Sequence, residues 1–232
     1  MRSQLRPHWD AKAGTWDAHL PRSDLFAELL DTVLGAARPG PGDVALDLGA
    51  GSGFLTIPIA ARAARTYALD HSQEMLRLLG DRVAAEGRTL FAKRGDLAGF
   101  APPPERVDVV VSNYALHHLS HEGKRRLLRD AHDFMAPGGR FVVSDLMVPL
   151  TLRPGESGPL IRKVASIARK GPAGWWRIAK NLVRWGTGRG EYPASLEFWQ
   201  GALHAAGFVD VGGRHVGEES GVAWGTKPAV AG

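Results

Sequence analysis

The sequence predicts an α/β protein built on a doubly wound, mostly parallel sheet, and three observations carry that expectation. Residues 44–48 and 107–111 are apolar almost throughout, as strands covered by helices on both faces are. Stretches of helical periodicity alternate with the strand-like runs, the order that crossover helices impose on parallel strands. Between them, residues 44–56 read as a buried strand, a turn with glycines at 49, 51 and 53, and the opening of a helix that Ser52 can cap near Phe54.

At 232 residues the chain can form one such domain with a substantial core plus a small insertion. The absence of cysteine excludes disulfides, thiolate metal sites and a cysteine nucleophile. Met1 to Asp10 is polar, and no apolar run reaches about 18 residues, so a cytoplasmic protein is expected.

Taken in order, Leu25, Phe26, Leu29, Leu30, Val33 and Leu34 fall at helical spacing behind Ser23, and residues 39–42, Pro-Gly-Pro-Gly, end that helix before the first strand. Residues 55–64 continue the helix after the glycine turn, residues 66–70 form a second strand ending in Asp70, and Ser72 caps the next helix. Residues 89–94 make a short third strand. The fourth, 107–111, ends in Ser112, Asn113 and Tyr114, followed by His117 and His118. Residues 122–134 form a basic amphipathic helix, and 135–140 turn into a fifth strand over 141–146. Near the C-terminus Ser195 caps a helix that Gly207 ends, and two strands joined by a turn at 217–221 follow.

A carboxylate two residues ahead of the turn narrows what the turn can hold. Beside a helix N-terminus that meets a pyrophosphate, Asp47 would repel the ligand. S-adenosylmethionine instead brings an ammonium and a sulfonium, which a carboxylate attracts. The spacing Asp-x-Gly-x-Gly-x-Gly resembles the first motif of the class I S-adenosylmethionine-dependent methyltransferases. Three further matches follow in order: Asp70, 17 residues beyond Gly53; Gly95-Asp96-Leu97 after the third strand; and the "HHL … L … PGGRFVVSD" pattern. The resemblance covers about residues 40–147. It implies a seven-stranded sheet ending in an antiparallel hairpin, and S-adenosyl-L-methionine as cofactor with S-adenosyl-L-homocysteine as product.

Residue by residue, it implies that Asp47, Gly49, Ala50, Gly51 and Gly53 hold the methionine end, with Asn113 beside them. Asp70 would accept from both ribose hydroxyls, with His71 next to it, Met75 would pack on adenine, and Asp96 and Leu97 would flank the adenine amino group. For Asp96 an ordinary Gly-Asp turn is the competing reading. Trp9 and Trp16 stand where relatives fold a segment over the cofactor and are candidate substrate contacts of such a lid, although they could equally anchor an N-terminal arm of residues 1–22.

Chemistry is expected at the end of the fourth strand, because ligands of open α/β sheets sit outside strand C-termini. His117 and His118 are the candidate bases, His117 favoured, while His121 and His132 are expected to be solvated. Asn113-Tyr114-Ala115 departs from the Asn-Pro-Pro-Tyr signature of enzymes that hold planar amides, which lowers nucleobase or glutamine methylation. Tyr114 either contacts substrate or packs in the core. The missing cysteine argues against 5-methylcytosine chemistry, and no ligand spacing for a metal is present.

Residues 150–193 interrupt the alternation between the core pieces 23–149 and 194–232, and read as a helical cap inserted after strand five. Between Arg153 and Arg189 lie nine Lys and Arg against one acid, Glu156, whereas the rest of the chain has 20 basic and 23 acidic side chains. Leu160, Val164, Trp175, Ile178 and Leu182 make apolar stripes edged with Arg and Lys, and Trp175 and Trp176 are candidate substrate contacts. The favoured reading is a lid over a small apolar or anionic acceptor, with peripheral contact to anionic membrane as an extension and RNA ranked last. From another class, the same fold can keep the cofactor structurally while its pocket cyclises or merely binds a ligand. The oligomeric state is left open.

Overall fold

A computed structural model describes residues 24–147 and 191–229. Their elements run α1 (Asp24–Ala37), β1 (Val44–Leu48), α2 (Thr56–Ala60), β2 (Arg65–Asp70), α3 (Gln73–Ala85), β3 (Leu90–Arg94), β4 (Val107–Asn113), a 3₁₀ turn (Leu116–His118), α4 (His121–Phe134), β5 (Met135–Leu146), α5 (Leu196–Ala205), β6 (Val209–Val216) and β7 (Ser220–Thr226). The expected arm with Trp9 and Trp16 lies outside the described residues, as does nearly all of the expected cap, including Trp175 and Trp176.

The strands form one seven-stranded sheet in the order β3-β2-β1-β4-β5-β7-β6. Neighbours from β3 to β5 pair in parallel, and β7 pairs antiparallel with both β5 and β6. Strand alternation divides the core between the two faces. Leu46, Leu48, Val110, Phe141 and Val143 join Leu127, Leu128, Trp199 and Leu203 of α4 and α5 on one face. Ala45, Val109, Val111 and Val142 join Leu29 and Val33 of α1 and Leu55 and Ile59 near α2 on the other. All five residues of β1 are buried, which is why the run has no polar alternation and why its one carboxylate, Asp47, is enclosed.

Three expectations are corrected. The helix after the glycine turn is only Thr56–Ala60, and its N-cap position is Leu55 without a side-chain cap, so Ser52 does not cap it. Residues 51–55 are consumed in turns begun by the positive φ of Gly51 and Gly53. Arg62 N–H then bonds Ile59 O, the tighter i→i+3 pattern that ends the helix early. The turn expected at 135–140 is absorbed into β5 as a bulge, where pairing jumps from Val107↔Met135 to Val109↔Arg140. His132 is not solvated: its Nε2 is sealed without a partner and its ring stands edge-on to Phe208 at 5.1 Å, beside Gly207.

Candidate functional site

Strand order reverses between β1 and β4, so the C-terminal ends of these strands flank the crevice where a doubly wound sheet takes its ligand. Asp47 pairs in register with Val111, which carries Gly49 and Asn113 to the same edge. The turn cannot carry other residues at its narrowest point. Gly49 has φ 78°, and a Cβ there would stand 2.3 Å from Ala115 Cβ, so the 3₁₀ turn that bears the histidines rests directly on the glycine turn. Gly51, at φ 52°, faces open space instead. The turn is held from β2, because Gly49 N–H and Ala50 N–H both donate to Leu69 O, at 2.8 and 3.0 Å.

Asp70 is the second anchor. It is buried, its Oδ2 accepts from Gly51 N–H at 2.9 Å and its Oδ1 from Ser72 N–H at 2.8 Å, while His71 Nδ1 lies 3.3 Å from Oδ1. Ser72 in turn caps α3 by accepting from Met75 N–H at 3.2 Å, which places the buried Met75 one turn into the helix. Asp47 receives the Thr56 hydroxyl at 2.6 Å. Burial pushes its carboxyl from 3.8 up to about 7, with the nearby Asp70 charge adding to the push. Asn113 Oδ1 and His71 Nε2 are sealed from solvent with no partner. Asp96 is exposed and its Oδ1 accepts from Ala98 N–H at 3.0 Å, the turn geometry its sequence allowed, while Leu97 packs against the main core.

The two histidines separate. His117 is buried and its Nδ1 lies 2.6 Å from Oδ1 of Asp145 on β5, whereas His118 is only half-buried, its ring 4.1 Å from that of His117. Tyr114 adopts φ 48°; its ring lies 5.9 Å from Phe26 in a core cluster, and its hydroxyl pairs with Ser220. Behind the histidine turn lies Lys124, fully buried, donating to Leu119 O and Tyr192 O at 2.5 Å each. Burial lowers its ammonium to about 8, opposed by the negative field of Asp145.

The sequence reading did not assign Thr56, Lys124 or Asp145. An acid closing the apolar run of β5 at the ligand edge was the signal for Asp145. Lys124 gave none, because it reads as one more basic residue on a basic amphipathic helix. Among the described residues, no group of three or more His, Asp or Glu is placed to hold a metal ion.

Residues 45–139, from β1 into β5, match the family model described as a methyltransferase domain. The chain is 32% identical over 122 residues to an uncharacterized methyltransferase of Geobacillus kaustophilus, covering 53% of this chain and 55% of the relative. An uncharacterized methyltransferase of Bacillus subtilis is 28% identical over 149 residues, covering 62% and 68%. The first of these matches thus spans about half the relative's length.

Among solved structures, magnesium protoporphyrin IX methyltransferase from Synechocystis with bound S-adenosylhomocysteine superposes with TM-score 0.66 at 19% identity, covering 96% of this chain and 98% of that one. The N-methyltransferase NodS from Bradyrhizobium japonicum, also with S-adenosylhomocysteine, superposes with TM-score 0.68 at 15% identity, covering 96% and 97%. These neighbours share the fold and are named for different acceptors, so the fold does not select the acceptor.

Proposed function

We propose that this protein is an S-adenosylmethionine-dependent methyltransferase that acts on a small, apolar or anionic metabolite and releases S-adenosylhomocysteine. The observation that carries the reading is the pairing of two buried carboxylates, Asp47 and Asp70, with the open glycine turn at the sheet's switch point.

Three features fit that cofactor. Gly51 leaves open space at the turn, so a ligand can approach its backbone. Asn113 Oδ1 is a sealed acceptor without a donor, a role an amino-acid ammonium can fill. Asp47, close to neutral in its buried site, gains charge when a cation arrives. When bound, the cofactor supplies an electrophilic methyl on sulfur. The chain's part is to align an acceptor with that methyl and to exclude water; Asp70 orients the ribose, Met75 the adenine, and His117, ahead of His118, takes a proton from the acceptor.

The acceptor class rests on the sequence of residues 150–193, whose tryptophans and basic edges suit an apolar or anionic molecule. Peripheral contact with anionic membrane is the extension of that reading. Among the described residues no helix is long and apolar enough to cross a membrane.

The test is native mass spectrometry of the purified chain for co-purified cofactor and trapped metabolite, followed by assay of S-adenosylhomocysteine release with any metabolite found. Release that depends on the metabolite, and drops roughly 100-fold in His117→Ala, supports the reading. Binding of cofactor and metabolite without release would replace methylation with a structural use of the cofactor.

A further inference from the structure

Beneath the candidate base lies a buried polar network that the methyltransferase reading does not require. Asp145 is 1% exposed; its Oδ1 takes both His117 Nδ1, at 2.6 Å, and Leu146 N–H, at 2.8 Å, while its Oδ2 is sealed with no partner. An ionised carboxylate only accepts, so the His117 nitrogen that faces it must carry the proton. That leaves the lone pair of a neutral ring on Nε2. This atom is not among the sealed, unpartnered nitrogens, unlike His71 Nε2 and His132 Nε2.

Lys124 acts on the same turn from behind. Its ammonium holds Leu119 O, directly after the 3₁₀ turn, and Tyr192 O, while Tyr192 N–H donates to His117 O at 2.6 Å. The backbone of the turn is thus fixed at two points by a single buried cation. That cation also lies within the field of Asp145 and compensates a carboxylate whose second oxygen has no donor.

Resting on the reading of His117 as base, we propose that Asp145 and Lys124 are positioning residues. Asp145 fixes the proton of neutral His117 on Nδ1, Lys124 holds the turn, and Nε2 is left to receive the proton of the methyl acceptor. In the step so served, the acceptor's lone pair forms the new bond to the methyl carbon, and the carbon–sulfur bond breaks with its electron pair going to sulfur. The acceptor's proton passes to His117 Nε2 and from there to water.

The experiment uses the full chain labelled with ¹⁵N-histidine and saturated with S-adenosylhomocysteine. Two-bond ¹H–¹⁵N correlations give the tautomer of His117, assigned by loss of its signals in His117→Gln. In parallel, tritiated methyl transfer from S-adenosylmethionine into a metabolite extract of the source organism is measured. The wild type should show neutral His117 protonated on Nδ1. Asp145→Asn, which can turn an amide N–H toward the ring, should shift the proton to Nε2 and lower transfer about 100-fold, with S-adenosylhomocysteine affinity within about twofold of wild type. Asp145→Glu should restore the Nδ1 proton and part of the transfer, and Lys124→Met should lower transfer about tenfold at unchanged cofactor affinity.

A wild-type ring protonated on Nε2 overturns the proposal. So does undiminished transfer in Asp145→Asn, which would leave the network a purely structural tie. If Asp145→Asn does not fold, the wild-type tautomer and Asp145→Glu still decide. Should the wild type bind S-adenosylhomocysteine yet transfer nothing, the methyltransferase reading fails, while the tautomer still decides whether the network exists.

Discussion

Replacing Asp47 with asparagine should make this protein more stable at alkaline pH while weakening its hold on a cationic ligand. Asp47 is 2% exposed, and burial moves its carboxyl from 3.8 to about 7. Between those values the folded state keeps a proton that the unfolded chain has released. Stability therefore falls as pH rises, by about 1.4 kcal/mol per unit. Below 3.8 both states are protonated and above about 7 both are ionised, so the loss is confined to the interval between. The full interval of roughly three units corresponds to about 4 kcal/mol. Asp47→Asn removes the titration, and its amide oxygen can still accept from the Thr56 hydroxyl.

Urea unfolding followed by circular dichroism at about pH 5 and about pH 8 isolates the effect. Relative to the variant, the wild type should lose about 3 kcal/mol between the two conditions. Saturating S-adenosylmethionine should narrow the gap at the higher pH, because its cation favours the carboxylate. A difference between wild type and variant that stays the same at both pH values would refute the argument, and with it the idea that Asp47 is held near neutrality for a cation.

Two other substitutions probe the scaffold of the site. Gly49→Ala forces a Cβ to 2.3 Å from Ala115 Cβ at φ 78°, so denaturant unfolding should show a loss of about 3 kcal/mol. Lys124→Met removes the donor to Leu119 O and Tyr192 O, and should cost about 2 to 4 kcal/mol by the same assay.

Much of the fold was legible in the sequence because parallel strands covered on both sides need unbroken apolar runs. The caps at Ser72 and Ser195 were legible because a capping serine acts on a backbone only three residues away. Local signals misled where distant parts of the chain decide the outcome. Ser52 reads as a cap, yet the glycine turn spends the next residues and Thr56 reaches back to Asp47. His132 reads as a helix-surface residue, yet Gly207 and Phe208 return beside it from the end of α5. The glycines, Asp47 and Asp70 stood out in the sequence because their spacing resembles a known motif. For Asp145 the sequence offered only an acid at the end of an apolar run, and for Lys124 nothing, because their contacts reach 28 residues away for Asp145 and 68 residues away for Lys124.

Isothermal calorimetry of the full chain with S-adenosylmethionine and S-adenosylhomocysteine, wild type against Asp70→Ala, tests the central claim most directly. Asp70 closes β2 with both oxygens turned to the backbone around the glycine turn. If that edge takes the adenosyl group, the wild type binds both ligands, and the variant binds each roughly ten- to a hundred-fold more weakly, a loss of about 1.5 to 3 kcal/mol. A wild type that binds neither ligand, or a variant with unchanged affinity for both, would contradict the placement of the cofactor at this edge.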